Sequence, residues 1–177
     1  ADEDTEYARE IFKRFLPRAW RRPIADPEVE PILRVVQSEL KNGESFHEAI
    51  RVGLTAAITS PKFLYLVEPS AGGDARTLND FELASRLSFF LWSSMPDDAL
   101  FRAAESKSLS DRDALRTQVD RMLADSRADR FVEGFARQWL RTDTFLAFTP
   151  DRNLYRDYDD KLAEAVVREP LEFFRTI

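Results

Sequence analysis

Apolar side chains recur every three or four residues along most of the chain, the spacing that places them on one face of an α-helix. The first segment with this spacing opens at Asp4 or Thr5, and Pro17 should interrupt or kink it. The second begins at Asp26-Pro27-Glu28, whose aspartate is expected to cap the helix, and ends near Gly43. These signals predict two helices in the first quarter of the chain.

Later helix starts follow the same chemistry. Ser45-Phe46-His47-Glu48 and Asn79-Asp80-Phe81-Glu82 both have the spacing of a capping box, and further helices should open near Ser110, near Ser126 and from about Asp157. No segment combines strand periodicity with hairpin turn residues, and the chain has only five glycines. The sequence therefore predicts an all-α fold, a compact bundle of about seven to eight helices.

A change in composition predicts how this bundle is divided. Residues 69–76 contain two of the five glycines and few apolar side chains, which is typical of a linker. This predicts an N-terminal helical module over residues 1–68 and a C-terminal helical module over residues 77–177. We expect the two modules to lie side by side and share one core, because a chain of 177 residues buries enough surface for one self-sufficient core.

The most apolar stretch of the chain runs from Phe81 to Trp92 and ends in a corner with two serines and a proline. A helix that is apolar on almost every side belongs in the middle of a bundle. Arg86 is the exception, and Glu82 lies one turn before it, in the favourable order for an ion pair. Asp97 and Asp98 should lie in the first turn of the next helix, where the helix dipole favours carboxylates.

Two interpretations of this corner are open. In the first, Asp97 and Asp98 cap and complement a helix, and Arg86 and Trp92 belong to its structural surroundings. In the second, the four residues form a binding corner whose carboxylates are available for acid–base or metal chemistry. The first is favoured, because no histidine is near in the sequence and adjacent aspartates on a helix point apart.

Composition excludes several kinds of chemistry. The chain has no cysteine and one histidine, so it cannot by itself build a thiolate zinc site, a haem-attachment motif or an iron–sulfur cluster. That histidine, His47, is expected to face solvent in the first turn of its helix. A net charge of −6 argues against non-specific binding to nucleic acid, and no apolar run approaches the roughly 20 residues that cross a bilayer. We therefore assign no catalytic, cofactor-binding or metal-binding residue.

A basic cluster surrounds Trp20. Arg18, Arg21 and Arg22 could bind a phosphate or an acidic surface. Such a cluster more often pairs with acidic neighbours, of which the chain has 32, and that interpretation is favoured.

Two other patterns have a functional and a structural interpretation. The segment from Asp151 begins like a calcium loop but lacks the glycine and the closing glutamate of such loops.

Phe131, Phe135 and Trp139 follow one another at helical spacing and could stack on a sugar. Aromatic residues at this spacing usually belong to the core, and we expect them there.

Much of the chain resembles a family of paired domains. The resemblance is carried by FLPRAWRRPIADPEVE, ITSPKFLYLVE, ELASRLSFFLWSSMPDDAL and QVDRMLADSRADRFVEGFARQWL. They look like the adjacent domains of unknown function of large planctomycete and myxobacterial proteins, which are usually exported and often linked to a cytochrome c-type haem domain. The resemblance implies an extracytoplasmic location, neighbouring domains and continuation of the chain beyond Ile177; it implies no activity. Relatives commonly have a helix-forming residue where this chain has Pro170, so we expect the helix to be altered beyond Glu169.

Three functions remain as hypotheses. The favoured one is a structural and interaction module of a larger exported, redox-linked protein, bound to other domains of that protein or to a protein partner. Haem c would then belong to a neighbouring domain or partner, and this chain would hold no cofactor. The second is a part of an oxidoreductase or hydrolase active site that is completed elsewhere. The third is a module for carbohydrate or another small ligand, using exposed Trp20, Trp139, Tyr155 or Tyr158.

Overall fold

A computed structural model describes residues 2–66, 77–151 and 153–176, and within these ranges the chain is helical with no strand. The all-α fold predicted from the sequence is confirmed. The N-terminal module contains four helices: α1 (Asp2–Ala19), α2 (Asp26–Lys41), α3 (Phe46–Ile58) and the single turn α4 (Pro61–Leu64). The expected linker at residues 69–76 lies outside the described residues.

The C-terminal module begins with three regular helices and continues with shorter ones. The regular helices are α5 (Asp80–Trp92), α6 (Asp98–Glu105) and α7 (Arg112–Leu123). After a 3₁₀ turn at Ser126–Ala128, the chain forms one continuous helical stretch. It consists of α8 (Asp129–Phe131), a π-helical segment (Val132–Ala136) and α9 (Arg137–Leu140). The turn α10 (Asp143–Leu146) and the long helix α11 (Asp160–Arg175) complete the module.

Local hydrogen bonds fix most of the helix ends that the sequence predicts. Ser45 accepts from the amide of Glu48 (3.2 Å), and Asn79 accepts from the amides of Phe81 and Glu82 (both 3.0 Å). Gly43 follows α2 with a φ of +90°, a left-handed conformation that glycine adopts without strain. The capping chemistry of these segments was therefore predictable from short stretches of sequence.

One helix end and two helical prolines differ from that prediction. Ala25, not Asp26, occupies the N-cap of α2, and its amide donates to the Glu28 carboxylate (3.2 Å). Pro17 does not end α1, which continues to Ala19, and Pro170 lies inside α11. Proline removes one amide donor, and both helices continue despite that loss.

The buried side chains of the N-terminal module form one cluster in which α1, α2 and α3 meet. Phe12 and Val36 are fully buried there, and Gly53 faces both. A Cβ atom on Gly53 would lie 2.7 Å from Phe12 Cζ and 2.8 Å from Val36 Cγ2. Glycine therefore allows α3 to approach its two neighbours closely.

The C-terminal module has two clusters of its own. The larger is built around Trp92, Leu100, Leu109 and Met122, and the smaller joins the π-helical segment to α11. Buried Asp80, the first residue of α5, accepts from the amide of Leu109 (2.7 Å) and thereby ties α5 to the loop before α7. Among the described residues, no helix is both long and apolar enough to span a bilayer.

Several aromatic residues lie at the surface, where the sequence analysis placed them in the core. Phe90 is 57% exposed and Phe89 38%, so α5 is not enclosed on all sides. Phe135 is 41% exposed and Trp139 64%, so the expectation that they are core residues is wrong. Helical spacing shows that residues share a face but does not show whether another helix covers it.

We predict that Gly53→Ala lowers the free energy of unfolding by about 1–3 kcal/mol, because the added methyl group overpacks the contact with Phe12 and Val36. Urea unfolding of the purified chain measures this change. Gly134→Ala is the matched control, since a Cβ there meets nothing within 4 Å. Equal stability of the two variants would contradict the close approach of α3.

Candidate functional site

A buried arginine lies where the two modules meet. Arg21 follows α1 with a left-handed φ of +57° and is buried. Its guanidinium donates to the carbonyl oxygens of Lys62 (3.1 Å), Phe63 (3.0 Å) and Tyr65 (2.9 Å). These carbonyls lie at the C-terminal end of α4, where the helix dipole favours a cation. Arg21 therefore fixes the short segment after α3 against the end of α1.

The same guanidinium also reaches the C-terminal module. Its Cζ lies 6.0 Å from the ring centroid of Phe63 and 5.5 Å from that of Phe89 on α5. Burial lowers the pKa of Arg21, and arginine remains charged at neutral pH even so. A charge buried at this position is tolerated because carbonyl oxygens and ring faces replace its water.

Arg22 and Lys62 share one carboxylate beside the contacts of Arg21, which we call the Arg21 clamp. Arg22 donates twice to Glu28, with distances of 2.6 and 2.9 Å, and the Lys62 ammonium donates to it at 2.9 Å. The bonds from Arg22 hold the pKa of Glu28 well below its usual range; burial opposes the shift, and the bond from Lys62 reinforces it. The Lys62 ammonium also lies 4.5 Å from the ring centroid of Trp20.

The three arginines of the expected anion patch thus have partners. Arg21 binds carbonyls and Arg22 binds Glu28, while Arg18 forms a surface ion pair with Asp98. The Arg18 pair links the two modules. Arg18 and Arg22 thus pair with acidic neighbours, whereas Arg21 pairs with backbone carbonyls instead.

A cavity of about 330 Å³ opens between the clamp and the start of α5. Its walls combine aromatic, basic and small polar side chains: Trp20, Arg21, Arg22, Lys62, Tyr65, Leu66, Asn79, Phe81, Glu82 and Ser85. Trp20 is buried, so it does not provide the exposed ring that the carbohydrate hypothesis requires. Its indole nitrogen donates to the carbonyl of Ala57 (3.3 Å), which leaves ring carbons to form the wall.

The corner after α5 is organised around Trp92. Its indole nitrogen donates to the carbonyl of Met122 (2.9 Å), and the residue is fully buried. The guanidinium carbon of Arg127 lies 3.5 Å from the Trp92 ring centroid, and that of Arg121 lies 5.4 Å from it. The two arginines therefore cover the side of the indole that faces the surface.

Asp97 joins these arginines to the N-terminus of α6. It caps the helix by accepting from the amide of Leu100 (2.9 Å), and it accepts two bonds from Arg121 (2.8 and 3.1 Å). Burial alone would raise the pKa of Asp97, but the bonds from Arg121 and Leu100 and the charge of Arg127 lower it overall. This is the chemistry of a helix cap within a salt-bridge network.

The four corner residues do not assemble into one reactive site. Arg86 is exposed, Trp92 is buried and Asp97 faces Arg121, whereas Asp98 points to Arg18 on the other module. None of the four lines the cavity at the junction. Arg121 and Arg127 could not be predicted as partners of Asp97, because they lie 24 and 30 positions along the chain from it and no local pattern connects them.

Five aromatic rings of the C-terminal module, some exposed and some half-buried, form a continuous stack. The ring centroids of Phe131 and Phe135 lie 5.1 Å apart, with an interplanar angle of 11°. Those of Phe135 and Trp139 lie 5.8 Å apart, with an interplanar angle of 26°. Phe90 and Phe174 contact this stack from α5 and α11. We call Phe90, Phe131, Phe135, Trp139 and Phe174 the aromatic ladder.

The remaining sequence candidates lie apart from these features. His47 is exposed in the first turn of α3, as expected. Tyr155 is exposed and Tyr158 half-buried, while Asp159 caps α11 through the amide of Leu162 (2.8 Å). Within the described ranges, no three histidine or acidic side chains are placed together so that they could hold a metal ion.

We predict that Asp97→Asn lowers the free energy of unfolding by about 1–3 kcal/mol at pH 7, because it removes charge-assisted bonds to Arg121 while asparagine can still cap α6. Asp98→Asn is the matched control and should cost less than about 1 kcal/mol, since its pair with Arg18 is exposed. Urea titrations measure both.

The pH dependence of the Asp97 variant is a separate prediction. The pKa of Asp97 is lower in the folded state, so its contribution is complete above the unfolded value of about 4 and is lost as the pH falls through the folded value. The stability gap between the native chain and Asp97→Asn should therefore shrink below roughly pH 4. A gap that stays constant on acidification would show that the carboxylate charge is not what stabilises the corner.

Comparison with known proteins places both modules among described domains. The family model for PSD5, a protein of unknown function (DUF1595), matches residues 7–68. The model for PSD4, a protein of unknown function (DUF1592), matches residues 78–177, more than half of the chain. Searches of the curated proteins and of the solved structures gave no match. The chain belongs to the DUF1592 (PSD4) family of proteins of unknown function.

Proposed function

We propose that this chain is a helical interaction module of a larger exported protein, in which a neighbouring domain or a partner carries haem c. The adjacent DUF1595 and DUF1592 matches support this proposal, because the sequence resembles tandem domains associated with cytochrome c. On this proposal the module is extracytoplasmic, holds no cofactor of its own and binds neither nucleic acid nor the membrane interior.

The observation that carries the proposal is the exposure of the aromatic ladder. Phe90 and Trp139 each leave more than half of their surface in solvent, and Phe173 beside Phe174 is similarly exposed. Contiguous exposed aromatic surface is uncommon on an isolated soluble domain and marks surfaces that another molecule covers. Tryptophan and other aromatic residues are also enriched at the centres of protein interfaces.

The backbone under the ladder is itself unusual. Phe135 lies within the π-helical segment Val132–Ala136, which lies between α8 and α9. π-Helical segments are rare and frequently occur at functional sites. The irregular backbone and the exposed rings therefore coincide at one place on the molecule.

The charges beside the ladder are linked to one another within the module. Arg175 pairs with Glu172 (2.9 Å), Asp129 (3.1 Å) and Glu133 (3.5 Å), so three carboxylates share this arginine. A partner that covers the rings would meet the apolar stack and an acidic rim. We propose as occupant the apolar face of a neighbouring domain in the same longer protein.

The other two hypotheses have less support. Arg86, Trp92, Asp97 and Asp98 do not converge on a cavity, so the described residues offer no part of an active site at that corner. Phe131, Phe135 and Trp139 stack one against the next and do not lie in one plane. A sugar platform needs exposed coplanar rings, so this arrangement suits a protein surface better.

Hydroxyl-radical footprinting of the full-length protein and of the isolated 177-residue chain tests this function. In the full-length protein we expect labelling of Trp139 and Phe135 to fall several-fold, because a domain covers them. Tyr7, an exposed residue of α1, is the internal control and should be labelled equally in both samples.

Equal labelling of Trp139 in the two samples would contradict the proposal that a domain of the same protein covers the ladder. Protection that appears only after a soluble oligosaccharide is added would favour the carbohydrate-binding alternative instead.

A further inference from the structure

The cavity at the module junction has the dimensions and composition of a small-molecule site. Its volume of about 330 Å³ falls within the range of ligand pockets, and such pockets are frequent where domains meet. Trp20, Tyr65, Leu66 and Phe81 supply apolar wall. This cavity is separate from the aromatic ladder, so the inference below is independent of the proposed function.

One polar group at the cavity wall has no partner among the described residues. Ser85 is only 5% exposed and lines the cavity, and its hydroxyl makes no hydrogen bond to another described residue. The hydroxyl is not one of the fully buried groups, so a polar atom of a ligand in the cavity can accept its hydrogen bond.

The basic side chains supply a second polar contact. An ammonium group has three N–H donors, and within the described part of the chain the Lys62 ammonium donates only to Glu28. Lys62 therefore keeps donor capacity beside the Trp20 ring, over which its charge lies.

The described side chains around the cavity leave a positive surplus. Three cations, Arg21, Arg22 and Lys62, lie near two carboxylates, those of Glu28 and Glu82. Glu82 accepts from the amide of Asn79 (2.9 Å), so its charge is directed at the N-terminus of α5. These five side chains together carry one net positive charge.

We propose that this cavity binds a small organic monoanion with an aromatic or alicyclic ring. The ring lies against Trp20 and Phe81, and the acidic group accepts hydrogen bonds from the Lys62 ammonium and the Ser85 hydroxyl. A carboxylate fits these two donors, because it accepts several hydrogen bonds and carries the compensating charge.

Titration of the ¹⁵N-labelled chain with 2-naphthoate tests this site by NMR. The three tryptophans give three indole N–H signals, from Trp20 in the cavity, Trp92 in the core and Trp139 on the ladder. We expect a saturable shift of the Trp20 signal, with the Trp139 signal unchanged. A shift of Trp139 without one of Trp20 would mean adventitious binding to exposed rings and would overturn the proposal.

The role of the charge is tested with a neutral analogue and with variants. We expect 2-naphthamide to bind the native chain at least about tenfold more weakly, and Lys62→Met to weaken 2-naphthoate binding by about the same factor. Ser85→Ala should weaken it several-fold. Lys161→Met, an exposed lysine of α11, is the matched control and should bind as the native chain does. If the native chain bound 2-naphthoate and 2-naphthamide with equal affinity, the proposal that the cavity recognises an anion would be refuted. This comparison does not depend on how the variants fold.

Discussion

The guanidinium of Arg21 is the constraint on which the junction of the two modules depends. A charge removed from water must be satisfied within the protein, and here the carbonyls of Lys62, Phe63 and Tyr65 do so. Because those carbonyls end α4, the requirement fixes the segment that leaves the N-terminal module. The contact with the Phe89 ring extends the same requirement to α5. The cavity lies between this segment and the start of α5.

The features that could be predicted from sequence are those whose causes are local. Ser45 and Asn79 were identified as caps because each bonds amides two or three residues away. The roles of Arg21 and Asp97 could not be predicted in the same way, since their partners lie far along the chain. The Arg21 partners are, in addition, backbone carbonyls, which carry no side-chain signature. Aromatic spacing correctly indicated a helix around Phe135 and Trp139 but gave the wrong location for their rings, because burial depends on what packs against that helix.

The two proposed recognition surfaces differ in chemistry and in position. The cavity is small, partly basic and enclosed by residues of both modules, which suits a compact anion. The aromatic ladder is broad, apolar and confined to the C-terminal module, which suits the face of another domain. The salt-bridge network around Trp92 lies outside both surfaces and serves the core, because its arginines are committed to Asp97 and Asp125. The apolar corner that dominates the sequence is therefore structural, and recognition is assigned to two surfaces whose residues the sequence favoured as paired charges or as core.

Amide hydrogen exchange in an Arg21→Lys variant tests the central claim most directly. The amides of Phe63, Leu64 and Tyr65 donate to carbonyls of Ser60 and Pro61 within a single turn, which is too short to be stable alone. If Arg21 stabilises that turn, lysine cannot reproduce its forked contacts, and these three amides should exchange more than about tenfold faster while the amide of Ala49 in α3 keeps its protection. Unchanged protection at Phe63, Leu64 and Tyr65 would contradict the account, since the junction would then be held by something other than this buried charge.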